Sequence, residues 1–128
     1  MENQALVKEI CPTKTQLWIK NGALLVDVRE REEVARLAYN VPNIVNIPLT
    51  EFEERFSEIS RDREVVVVCK SGVRSLMATS FLLNNGYDKV VNMKHGIIRW
   101  VQKGFPTIGD ESSFLVDENT HSCSCSGC

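Results

Sequence analysis

The residue best placed to do chemistry in this sequence is Cys69. It follows four consecutive valines, Val65 to Val68, and precedes the polar, glycine-bearing stretch Lys70-Ser71-Gly72-Val73-Arg74-Ser75. A thiol attacks as its thiolate, and a free cysteine has a pKa near ~8.5, so a nucleophilic cysteine needs surroundings that favour negative charge. Three features can supply them. Gly72 permits a tight turn in which several backbone N–H groups converge as an anion-binding nest. A helix expected to begin near Ser75 points its positive end at the same place. Lys70 and Arg74 add full positive charges. A cysteine ending a valine-rich strand can also be a small buried hydrophobe, but an apolar filler has no need of polar, basic and glycine residues directly after it.

The other cysteines are placed differently. Cys11 stands alone, and Cys123, Cys125 and Cys128 crowd the last six positions. This is not the spacing of a disulfide framework. With His121, the three terminal cysteines match the ligand types of a zinc or copper(I) site. Their spacing is tighter than that of paired knuckles, however, and no second pair lies upstream, so no metal site is assigned. The segment reads as an irregular Ser/Cys-rich tail over 107–128, with thiols that accept sulfur from Cys69 as an alternative role. His95 reads as a solvated loop histidine, and Trp18 and Trp100 as core residues at helical spacing.

The elements that must position Cys69 follow from periodicity. A short helix over Cys11 to Lys20, with Leu17 and Trp18 facing inward, stops at Asn21-Gly22. Ala23 to Val28 is an apolar run without alternation, as expected of a strand covered on both faces, and Asp27 and Arg29 lie at its end. Glu30 to Leu37 is expected to be helical, Ile44 to Pro48 a strand, and Leu49 to Ile59 a helix through Phe52, Phe56 and Ile59. Glu64 to Cys69 is too β-branched and too short for a helix and reads as the central strand. Ser75 to Asn84 is then a helix, Lys89 to Met93 a strand, and Gly96 to Lys103 a helix closed by Gly104-Phe105-Pro106. This alternation predicts an α/β fold with a mainly parallel sheet of about five strands between helical layers. Such folds carry their sites at the carboxyl ends of strands, where Cys69 lies.

The chain has 128 residues, 43% of them hydrophobic, which suits one domain over 1–106 followed by the tail. A net charge of -2, with basic residues scattered among acidic ones, gives no footprint for nucleic acid or an anionic membrane. No apolar run approaches the roughly 20 residues of a membrane span, and Met1-Glu2-Asn3-Gln4 does not start a signal peptide, so a cytoplasmic, soluble protein is expected.

The pattern Cys69-x-x-Gly72-x-Arg74-Ser75 after a valine strand resembles the active-site loop of the rhodanese family. Further stretches are similar in order and spacing: Leu25-Val26-Asp27-Val28-Arg29, then Val41 to Leu49, then Gly96-Ile97-Ile98-Arg99-Trp100 with Gly104-Phe105-Pro106. The similarity covers roughly Cys11 to Pro106, and four such stretches in register are highly specific. The resemblance implies a three-layer rhodanese-like α/β/α fold and a single-domain sulfurtransferase. Cys69 would take sulfane sulfur from a donor such as thiosulfate, carry it as a persulfide, and pass it to cyanide, a thiol or a protein acceptor, with no metal or organic cofactor. The N–H groups of residues 70 to 75 would hold the anionic sulfur, Arg74 would bind the donor's oxyanion, and Asp27 and Arg29 would brace the loop. Two alternatives remain: a non-catalytic or sulfur-carrier module, and a phosphatase or arsenate reductase. The six-residue loop from Cys69 to Arg74 goes with sulfur transfer in this family, whereas the related phosphatases use a longer one. One departure is Tyr39-Asn40, which occupies the place where the family often has Gly-His.

Overall fold

In the computed structural model, which describes residues 7–110, the valine run is the middle strand of a five-stranded, wholly parallel sheet. In chain order the first elements are β1 (Glu9–Ile10), α1 (Pro12–Lys20), β2 (Leu24–Asp27), α2 (Arg31–Arg36), β3 (Leu37–Tyr39) and β4 (Ile44–Asn46). There follow α3 (Phe52–Arg55), β5 (Val65–Val68), α4 (Val73–Asn84), β6 (Val90–Met93), α5 (Gly96–Gln102) and β7 (Thr107–Gly109). The strand order is β1-β6-β5-β2-β4, and β3 and β7 form a separate antiparallel ribbon.

The valines form the centre because β-branched side chains pack well on a pleated surface and every residue of β5 is buried. Alternation along the strand divides them between two cores. Val65, Val67 and Cys69 pack with Leu24, Val26, Phe52, Ala78 and Leu82, on the face covered by α3 and α4. Val66 and Val68 pack with Leu25, Met93, Ile97 and Trp100, on the face covered by α5, with Trp18 and Ile19 of α1 alongside. The result is the three-layer α/β/α arrangement expected from the alternation of elements. The period-2 rule also decides which way residue 69 points, toward α4.

Several local expectations are corrected. The helix expected over Glu30 to Leu37 ends at Arg36, because Leu37 and Tyr39 bury their side chains in the second core as part of β3. The stretch from Leu49 to Ile59 is not one helix: 3-10 turns over Leu49–Glu51 and Phe56–Glu58 flank the single turn of α3. Leu17, expected to face inward, is exposed, while Trp18 packs against the core. Helix α4 begins at Val73 rather than near Ser75, since Gly72 takes the left-handed conformation at its N-cap. Thr107–Gly109, expected to be irregular, is strand β7 and pairs with β3 in the register Leu37↔Gly109 and Tyr39↔Thr107. Strand β1, which had no counterpart in the sequence reading, adds an edge beside β6. The cysteine-rich segment 111–128 lies outside the described residues.

Trp100 joins the ribbon to the sheet. It is fully buried, meets Tyr39 and Phe105 edge-on with ring centroids 5.2 Å apart in each case, and donates its indole N–H to the Pro106 carbonyl at 2.7 Å. Replacing it with alanine is expected to destabilise the fold by about 3–5 kcal/mol, the range for deleting a large buried aromatic side chain, read as the shift in a urea unfolding midpoint.

Candidate active site

After β2 the chain turns outward to β4 on one side of the sheet, and after β5 it goes to β6 on the other. The carboxyl ends of β2 and β5 therefore flank a topological switch point, the position where open α/β sheets form a crevice. Asp27 and Arg29 stand at the end of β2 and Cys69 at the end of β5, paired through the register Asp27↔Val68.

The loop after β5 wraps around the Cys69 sulfur. Gly72 N–H donates to Sγ at 3.1 Å and Ser75 N–H at 3.3 Å, while the thiol lies 3.2 Å from Ser75 Oγ in a donating geometry. Ser75 lies in the first turn of α4, whose N–H groups have no partners within the helix, so the sulfur takes up a donor that would otherwise be left over. Of the loop residues singled out from the sequence, Gly72 and Ser75 reach the sulfur through their backbone. Lys70, Ser71 and Val73 are exposed, and Arg74 is half-buried. Cys69 itself is 0% exposed.

The other side of the same residue is also held. The Cys69 carbonyl accepts Ile97 N–H at 3.0 Å from the start of α5 and the Tyr39 hydroxyl at 2.8 Å, and the Lys70 carbonyl accepts Ile98 N–H. Burial, with Asp27 nearby, pushes the Tyr39 phenol well above its ordinary pKa, so it stays a donor. This approach of α5 to the loop depends on glycine: a Cβ on Gly96, at φ 59°, would lie 2.1 Å from the Lys70 carbonyl oxygen. Gly72 is similarly constrained, since a Cβ there would meet the His95 backbone nitrogen at 2.9 Å, and its carbonyl accepts from Asn92 Nδ2.

Asp27 and Arg29 form a buried ion pair, 2.8 Å between Nη2 and Oδ2, with Arg29 N–H also donating to Asp27 Oδ1. Asn46 of β4 donates to the carbonyls of both Asp27 and Arg29. Tyr39 connects the pair to the loop: its ring lies 5.4 Å below the Arg29 guanidinium and its hydroxyl reaches the Cys69 carbonyl. Arg74 turns to Glu33 of α2 in a two-pronged contact, Nη1 to Oε1 at 2.7 Å and Nη2 to Oε2 at 3.0 Å. That hydrogen-bonded guanidinium holds the Glu33 carboxyl at a pKa of about 2, well below the usual carboxylate range.

Tyr39, Glu33 and Asn46 did not stand out in the sequence. Tyr39 was noticed only as a departure from a family pattern. Glu33 carries one local signal: Glu30-x-x-Glu33 forms a reciprocal cap at the start of α2, with Glu30 N–H donating to Glu33 Oε1 at 2.9 Å. Among the described residues no cluster of three His, Cys, Asp or Glu side chains is arranged to hold a metal ion. Nor is any helix among them long and apolar enough to cross a membrane.

Comparison with known proteins agrees with this architecture. Residues 12–103 match the model of the Rhodanese-like domain. A protein of Allochromatium vinosum named Sulfurtransferase is 40% identical over 88 residues, covering 69% of this chain and 80% of its own length. A Thiosulfate sulfurtransferase GlpE from Actinobacillus pleuropneumoniae is 34% identical over 100 residues, covering 77% of this chain and 90% of that protein. The crystal structure of a rhodanese-related protein from Thermoplasma volcanium superposes with a TM-score of 0.72 at 30% identity, covering 80% of this chain and 99% of the other.

Two outcomes are expected from this geometry. Gly96→Ala should displace the loop, lowering stability by more than about 2 kcal/mol through strain and a backbone clash, and should be visible as earlier urea unfolding. Glu33 should contribute stability that is complete above pH 4.5 and lost as pH falls toward about 2. Because both partners are about one-third exposed (31% and 33%), that contribution is on the order of 1 kcal/mol or less. The stability difference between wild type and Glu33→Gln should accordingly shrink on acidification, and a gap that widens at low pH would contradict the assignment.

Proposed function

Because this chain belongs to the rhodanese-like domain family, we propose that it is a sulfurtransferase in which Cys69 carries sulfane sulfur as a persulfide. The observation that carries this reading is the pair of backbone N–H groups, from Gly72 and Ser75, aimed at the Cys69 sulfur from the start of α4. Relatives named sulfurtransferase support it.

In the first step the Cys69 thiolate attacks the outer sulfur of a donor. The donor's own S–S bond breaks, and its remainder leaves with the electron pair, as sulfite when the donor is thiosulfate. In the second step a nucleophilic acceptor, cyanide or a thiolate, attacks the outer sulfur of the persulfide, and Cys69 departs as a thiolate. Two covalent displacements thus replace one direct transfer. Negative charge sits on sulfur in the attacking, persulfide and leaving states alike. Fixed amide donors and the helix end stabilise it without having to reorganise at each step. The Ser75 hydroxyl rotates between accepting from the thiol and donating to the thiolate. These steps call for no metal or organic cofactor.

Treatment with thiosulfate should add one sulfur, about 32 Da, to the Cys69 peptide, and cyanide should release it as thiocyanate. Cys69→Ser should abolish both results, while Cys11→Ser leaves them intact. A wild-type protein that gains no sulfur at Cys69 would overturn the reading. Persulfide that forms but turns over only slowly with cyanide or small thiols would assign the domain to sulfur delivery toward a protein acceptor.

A further inference from the structure

We infer that Glu33 acts through Arg74 as a positioning residue that sets donor charge, so that the site favours monoanionic sulfane donors of the organic thiosulfonate class over the dianion thiosulfate. This rests on the sulfurtransferase reading above and refines the donor.

The loop's guanidinium is the obvious counter-charge for an incoming oxyanion, yet both of its terminal nitrogens already face the two oxygens of one carboxylate. Glu33 is itself held from a second direction, by the Glu30 N–H at the start of α2. Asp27 and Arg29, at the neighbouring end of β2, are buried and neutralise each other. These four side chains sum to zero, and Lys70 lies at the exposed surface, where solvent screens its charge. A donor approaching the Cys69 thiolate therefore meets like charge, and the loop guanidinium that would offset it is already neutralised by Glu33. The penalty grows with each negative charge on the donor.

The chemistry is the same for both donor classes. The thiolate attacks the outer sulfur of R–SO2–S⁻, the S–S bond breaks, and the sulfinate leaves with the electron pair, giving the Cys69 persulfide anion. Thiosulfate differs in releasing sulfite and in carrying one more negative charge on arrival.

Steady-state kinetics with thiosulfate and with methanethiosulfonate, using cyanide as acceptor, tests the inference in wild type and Glu33→Gln. The substitution removes the charge but keeps a side-chain oxygen for the Glu30 N–H. A unit charge several ångströms away, in a dielectric between a protein surface and water, changes affinity by about threefold to tenfold. Freeing Arg74 should therefore lower KM for thiosulfate by about tenfold and for methanethiosulfonate by about threefold, with kcat nearly unchanged and the difference shrinking at high salt. Glu33→Asp, which keeps the charge, should hold the ratio of the two KM values within about twofold of wild type. Equal factors for both donors in Glu33→Gln, or a rise in the thiosulfate KM, would overturn the inference. Mass spectrometry of the Cys69 peptide in the same samples separates the two levels. Sulfur on Cys69 with an unmoved donor ratio defeats only the charge argument, whereas no sulfur from either donor defeats the sulfurtransferase reading and this inference with it.

Discussion

The two hydrogen bonds on the Cys69 carbonyl are the constraint on which the rest of the site depends. A buried carbonyl must be satisfied, and here one lone pair takes the Ile97 N–H of α5 and the other the Tyr39 hydroxyl. With that oxygen pinned toward the α5 face, the side chain of residue 69 projects to the opposite face, beneath α4. The chain then has to turn back across its own sulfur within three residues, and it does so through Gly72 at φ 101°. The nest of N–H donors around Sγ follows from how the strand end is anchored.

Charge around the sulfur is arranged differently from backbone polarity. Asp27 with Arg29 and Glu33 with Arg74 are matched pairs, one sealed in the interior and one at the edge of the loop. The buried pair gains full Coulomb attraction in a low dielectric but gives up hydration. It depends on extra hydrogen bonds, and Asn46, by holding the carbonyls of both residues, fixes the turn that contains them. The Tyr39 ring, lying against the Arg29 guanidinium, links the pair to Cys69. Within these two pairs the charges cancel, while oriented amides and the end of α4 act directly on the sulfur.

Much of this was legible in the residues themselves. Four valines before Cys69 mark a strand that only the middle of a sheet can cover on both faces, and Gly72 with the following helix marks a turn able to gather N–H groups. What escaped was non-local. Leu37 to Tyr39 continues a helical-looking segment and becomes a strand only because Thr107 to Gly109, some 70 residues away, supplies the partner. Glu33 looks like an ordinary helix-start carboxylate until folding brings α2 against the loop. Leu17 fits an apolar helical stripe, yet no element among the described residues covers it.

By itself, then, the sequence determined the alternation of strands and helices and the polar, glycine-bearing turn that follows Cys69 at the end of the valine strand. These properties depend on neighbours within a few residues, where steric preference and periodicity operate. Only the tertiary structure decided that Tyr39 and Ile97 anchor the Cys69 carbonyl, that Gly96 must lack a side chain, and that Arg74 is paired with Glu33. Those choices depend on which surfaces meet when the layers pack, and contact between distant segments leaves no periodic trace in either of them.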